Sequence, residues 1–182
     1  RILKANRINC VFGLQGGAVA HIFDSLEKFD ICVNYTHHES AAALAAAAYA
    51  KATEHIGCAV VTTGPGCTNA ITGLMGAWQD SVPCIFISGQ VRSNHTSYGL
   101  PVRQVGTQEV NIVDIVRPLC KYSKFVNKDD KIEKELKKAI RIAQSDRPGP
   151  VWLDIPLELQ WSDIEVSNEL LLPVNVPILK NV

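Results

Sequence analysis

Residues 58–69 read Cys-Ala-Val-Val-Thr-Thr-Gly-Pro-Gly-Cys-Thr-Asn. Cys58 to Thr62 is an apolar, β-branched run of strand length, and Gly64-Pro65-Gly66 breaks it. A helix is expected from about Cys67 to Trp78. Short apolar strand, glycine turn and helix make up one unit of an α/β fold. The same alternation extends in both directions. Upstream, Val11-Phe12 reads as a brief strand, followed by Gly13 to Gly17 and a helix to about Leu26. Ile31 to Tyr35 is a second strand, leading into an Ala-rich helix from about His38 to Thr53. Downstream, Cys84 to Ser88 and Val151 to Ile155 are further strands. The runs lack polar alternation, as expected for a parallel sheet covered on both faces. The expectation is a doubly wound α/β domain, mainly parallel, with helices on both faces.

The rest of the chain supplies connections. Gly89 to Glu109 is a long polar segment of the kind that is functional or mobile in compact domains. The charged run Lys128 to Lys138 belongs to a solvated helix ending near Ser145, and Arg147-Pro148-Gly149-Pro150 stops it. Beyond Trp161 the pattern fades, with Pro173 and Pro177 as punctuation. Residues 1–163 are therefore expected to form one domain, and residues 164–182 a linker towards a further, central domain. The chain begins at Arg1, inside what reads as a helix, so a piece of a longer protein is expected.

Composition narrows the class of partner. Among 182 residues, 18 Lys and Arg balance 18 Asp and Glu. This balance offers no electrostatic reason to expect nucleic acid or an anionic membrane. No apolar run approaches the ~20 residues of a membrane span. The six cysteines form no C-x-x-C pair and several lie inside apolar runs, so neither a disulfide framework nor a zinc site is expected. A reducing cytoplasm fits that usage.

In open parallel sheets, ligands bind beyond the carboxyl ends of the strands. Gly13-Leu14-Gln15-Gly16-Gly17, Thr36-His37-His38-Glu39 and Thr63-Gly64-Pro65-Gly66-Cys67-Thr68-Asn69 occupy such positions. The glycines permit close approach to a flat ligand or simply make tight turns. Neither a triphosphate loop nor a G-x-G-x-x-G fingerprint is present. Glu39 precedes a helix of small residues. It reads either as a first-turn acid favoured by the helix dipole or as a carboxyl whose pKa is raised beside a dry surface.

Taken in order, these pieces resemble a family. His38-Glu39 with the alanines and Tyr49-Ala50 is similar to the HE-x-x-A…YA signature of thiamine-diphosphate enzymes. Thr63 to Asn69 resembles their TSGPG-x-TN segment. Phe12-Gly13-Leu14-Gln15-Gly16-Gly17-Ala18-Val19 is similar to FGYPGGAV of acetolactate synthases. Ser88-Gly89-Gln90-Val91, Gln108-Glu109 and Arg147-Pro148-Gly149-Pro150-Val151 match SGQV, the end of FQE, and RPGPV. The matches reach about Ile155.

The resemblance implies the aminopyrimidine-binding fold of a thiamine-diphosphate-dependent carboligase or lyase acting on 2-keto acids with a pyruvate-type donor. It implies that Glu39 activates the cofactor by hydrogen-bonding a ring nitrogen of its aminopyrimidine, and that Pro65 and Asn69 line that pocket. Gly16, Gly17 and Ala18 would face the reacting carbon of a cofactor held by a neighbouring subunit, and Gln108 would reach towards thiazolium and substrate. His38 matches a family histidine, with a structural role equally open to it. No G-D-G segment followed by Asn-Asn occurs, so magnesium and the diphosphate would be held by another domain. The active site would form between subunits of a homodimer or homotetramer, and this piece alone would be inactive. Two departures bear on substrate. Leu14-Gln15 replaces Tyr-Pro, and Thr107 replaces the Phe of FQE, where a smaller side chain would admit a bulkier acceptor such as a keto sugar. The alternatives are a 2-keto acid decarboxylase, whose usual His pair is represented only by His95, and a non-catalytic assembly domain.

Overall fold

The computed structural model describes residues 1–162, 164 and 167–175. Six strands form one sheet: β1 (Cys10–Gly13), β2 (Cys32–Tyr35), β3 (Gly57–Val61), β4 (Cys84–Gln90), β5 (Tyr122–Phe125) and β6 (Val151–Pro156). Their order is β2-β1-β3-β4-β6-β5, and every pairing is parallel. The helices are α1 (Ile2–Ala5), α2 (Ala20–Lys28), α3 (Glu39–Thr53), α4 (Pro65–Asn69), α5 (Ile71–Gln79), α6 (Ile112–Val116), α7 (Ile132–Gln144) and α8 (Leu157–Gln160).

Alternation along the central strands divides the core in two. Cys58 and Val60 of β3, Ile85 and Ile87 of β4, and Leu153 of β6 pack with Phe23 and Leu26 of α2 and Ile140 of α7. Ala59, Val61, Cys84, Phe86 and Trp152 face the other way, against the alanines of α3, Leu74 of α5 and Ile112 of α6. Phe86 and Trp152 are fully buried and stacked, with centroids 5.3 Å apart. Burial of each such ring is worth roughly 2–3 kcal/mol. Small side chains let α3 lie close to its neighbours. A Cβ at Gly73 of α5 would meet the Ala43 Cβ at 2.5 Å.

The doubly wound parallel sheet is as expected, with three local differences. The helix after Gly64 begins at Pro65, not Cys67, and is two helices meeting at Ala70. Pro65 stands at the first helical position, where its missing N–H costs nothing. Strand β4 runs on to Gln90 because the polar groups of Ser88 and Gln90 are satisfied inside the domain. The half-buried edge strand β5 was unexpected, since Ser123 and Lys124 give it no apolar run. Beyond Trp161, Leu171 and Val174 pack against the first core cluster, and the Val174 N–H donates to Asn6 Oδ1 at 2.7 Å. Residues 163, 165, 166 and 176–182 of the expected domain end and linker lie outside the described residues.

Candidate active site

Chain order reverses between β1 and β3, which are neighbours in the sheet. Loops leaving two such strands diverge, one to each side, and open a crevice at the carboxyl edge. The loop after β1 carries Gly16, Gly17 and Ala18, and the loop after β3 carries Thr62 to Pro65. Glu39, first residue of α3 after β2, reaches the same edge.

Contacts tie these loops together. The Ala18 N–H donates to Thr62 Oγ1 at 3.4 Å. A Cβ at Gly16 would lie 2.5 Å from Thr62 Cβ, and one at Gly66 would lie 2.6 Å from Thr62 Cγ2. A side chain at Gly16 would therefore push the two loops apart, and one at Gly66 would displace Thr62 within its own loop. Gly17 has open space around it instead.

Glu39 is only 8% exposed. Asn69 Nδ2 donates to its Oε2 at 3.0 Å, and Ser40 Oγ donates to the Asn69 carbonyl at 2.6 Å, fastening α4 to α3. Oε1 has no hydrogen-bond partner among the described residues and lies 3.5 Å from the point a Gly66 Cβ would occupy. One carboxylate oxygen is thus held and the other left for a ligand. His38 caps the helix, its Nδ1 accepting from the Ser40 N–H at 3.2 Å. That contact is a structural role for His38.

Gln108 joins the site from the long loop. Its φ is +60°, and its carbonyl accepts from Thr63 Oγ1 at 3.2 Å. Gly64 must be glycine beneath it: its φ is +66°, and a Cβ there would stand 2.4 Å from the Gln108 carbonyl oxygen. Pro65 is exposed at the start of α4, and Thr107 is exposed beside Gln108. Glu109 anchors the loop by accepting from the Val105 and Gly106 N–H groups at 2.9 Å each and from Ser97. Burial opposes its ionisation, but these hydrogen bonds outweigh it and hold its pKa below the ordinary value. His95 is exposed, and its backbone carbonyl accepts from Gly106.

The sequence-selected residues therefore lie on loops and helix ends at one edge, with Glu39, Asn69, Gly66, Gly16 and Ala18 linked through Thr62. Gln108 docks on Gly64. Sequence reasoning missed the residues underneath. Ser88, Gln90 and Asp154 are fully buried and hydrogen-bonded to one another. Their signal was a polar residue at alternate positions of otherwise apolar strands.

Residues 1–115 match the family described as thiamine pyrophosphate enzyme, N-terminal TPP binding domain. The chain belongs to that family. It is 43% identical over 155 residues to the acetolactate synthase large subunit of Haemophilus influenzae, covering 85% of this chain and 26% of that protein. Identity to the acetolactate synthase isozyme 3 large subunit of Escherichia coli is 42% over 160 residues, 87% of this chain and 27% of the relative. A probable acetolactate synthase large subunit of Methanococcus aeolicus is 34% identical over 170 residues, 92% and 27% respectively. The domain is acetolactate synthase-like and spans about a quarter of these relatives.

The residues present fit the aminopyrimidine of thiamine pyrophosphate (thiamine diphosphate). A flat ring needs bare backbone, which the glycines supply, and a ring nitrogen needs a group that can share a proton with it, which Glu39 Oε1 could supply. Among the described residues no cluster of three or more His, Cys, Asp or Glu could hold a metal. No helix there is long and apolar enough to cross a membrane. All six cysteines are free, and burial pushes the thiols of Cys67, Cys84 and Cys120 up to about 12, so they serve as packing groups.

Proposed function

We propose that this domain binds and activates the cofactor of an acetolactate synthase-like carboligase that uses a pyruvate-type 2-keto acid as donor. The observation that carries the reading is the half-satisfied carboxylate of Glu39, with Oε2 held by Asn69 and Oε1 beside Gly66. When bound, the cofactor supplies an electron sink for the carbon left by decarboxylation. Glu39 Oε1 would share a proton with a ring nitrogen of the aminopyrimidine. Asn69 fixes the carboxylate plane, and Pro65 with Asn69 walls the ring. Gly16, Gly17 and Ala18 would face the reacting carbon of a cofactor whose diphosphate and magnesium a neighbouring subunit would hold. Gln108 would reach towards thiazolium and substrate, and Thr107 would border the acceptor.

The proposed assembly is a cytoplasmic homodimer or homotetramer with the active site between subunits. Residues 1–163 form the domain, 164–182 lead to the next one, and the isolated domain is inactive. The acetolactate synthase names of the relatives favour the carboligase over the decarboxylase or assembly readings. Product analysis of the full-length protein with pyruvate, thiamine diphosphate and magnesium tests this. Acetolactate is the expected product. Acetaldehyde alone would mean a decarboxylase, and no product would favour assembly. Condensation only when a keto sugar is added would assign Thr107 to a bulkier acceptor.

A further inference from the structure

Alternate rungs of β4 and β6, on one face of the sheet, turn from apolar to polar as they approach the site. Phe86 pairs with Trp152, Ser88 with Asp154, and Gln90 with Pro156. Trp152 Nε1 donates to Ser88 Oγ at 2.8 Å, and Ser88 Oγ donates to Asp154 Oδ1 at 2.5 Å. Gln90 Nε2 donates to Asp154 Oδ2 at 3.0 Å and to the Val110 carbonyl at 2.8 Å. Gln90 Oε1 accepts from the Val91 N–H at 3.0 Å and the Thr63 hydroxyl at 2.8 Å. All four hydrogen-bonding positions of the Gln90 amide are filled, which fixes its orientation.

Such a network is costly in a core. Ser88, Gln90 and Asp154 are 0% exposed, and Asp154 has no cationic partner among the described residues. Apolar residues of similar volume would serve stability as well or better. The network ends at the site: the Thr63 hydroxyl is also 3.2 Å from the Gln108 carbonyl. Its one proton is shared between two acceptors, so Gln90 sets the rotamer from which Thr63 holds Gln108. Gln108 in turn sits at φ +60° on Gly64 at φ +66°, backbone that needs external support to persist.

We infer that Gln90, oriented by Asp154 and acting through Thr63, is a positioning residue that sets where Gln108 stands over the Gly64-Pro65 turn. The inference rests on the proposed role of Gln108 beside thiazolium and substrate. Glu39 and Asn69 are fastened separately, through Ser40 and α3. Cofactor activation and Gln108 placement are therefore separable.

The test compares full-length wild type with Thr63→Val, which keeps the shape and removes the hydroxyl, and Thr63→Ser, which keeps the hydroxyl. Backbone amide exchange across residues 104–111 is read without cofactor. Proton exchange at the thiazolium carbon and kcat with pyruvate are read with it. Loss of one hydrogen bond of this kind predicts about tenfold faster amide exchange in that segment and about tenfold lower kcat in Thr63→Val. Thiazolium exchange stays within about twofold of wild type, and Thr63→Ser recovers most of the loss. Wild-type amide exchange and kcat in Thr63→Val would overturn the inference, as would thiazolium exchange falling in step with kcat. A wild type silent in thiazolium exchange would instead overturn the cofactor reading, and the inference with it.

Discussion

Asn69 and Glu39 are 30 residues apart, yet the Asn69 side-chain amide donates to Glu39 Oε2 at 3.0 Å, and the Asn69 backbone is bound to the helix that Glu39 begins. The pair lies between the first residue of one helix and the last residue of another. Asn69 selects which Glu39 oxygen remains for a ligand. Replacing Asn69 with Ala frees both oxygens. Thiazolium proton exchange in the full-length protein should fall about tenfold, the scale of one hydrogen bond to a charged group. Asn69→Asp should fall further, because it sets a second carboxylate against the first.

Ser88-Gly89-Gln90 splits between two tasks. Ser88 and Gln90 face the buried network, whereas Gly89 faces the opposite side, where a Cβ would stand 1.7 Å from the Ala18 carbonyl oxygen and 2.5 Å from its carbon. Both are backbone atoms, so Gly89→Ala must displace the Gly16–Ala18 loop. A loss of about 2 kcal/mol or more is expected in urea unfolding. Gly17→Ala, with nothing within 4 Å of its Cβ, should stay within about 0.5 kcal/mol of wild type.

Burial pushes the Asp154 carboxyl up to about 7, against hydrogen bonds from Ser88 and Gln90 that favour ionisation. The folded chain therefore holds this proton more tightly than the unfolded chain, where an Asp titrates near ~3.9. Its contribution to stability is full below about pH 4 and is lost as pH rises through about 7. Asp154→Asn can still bond both neighbours and cannot titrate. Wild-type stability relative to that variant should drop by roughly 2–3 kcal/mol between pH 5 and pH 8. Paired urea titrations at the two pH values check this, and a rise with pH would contradict it.

The fold was legible where apolar runs meet glycine turns, as in Cys58 to Gly66 and Cys84 to Ser88. It was not legible at β5, where Lys124 is held by Asp130 at 3.0 Å and the strand takes its place by pairing with β6. Glu39, Asn69 and the glycines were selected because they sit at strand ends in family order. Asp154 was not, since its partners Ser88 and Gln90 are 66 and 64 residues away and meet it only after β4 pairs with β6. His38 was open between two roles until its Nδ1 was seen capping α3.

The most direct measurement is hydrogen–deuterium exchange at the thiazolium carbon of thiamine diphosphate, in the full-length protein with magnesium and no substrate, comparing wild type with Glu39→Gln. A carboxylate that shares its proton with the aminopyrimidine predicts fast exchange in wild type and a loss of a hundredfold or so in Glu39→Gln, the usual scale of a positioned acid–base group. Equal exchange in the two proteins would contradict the role assigned to Glu39.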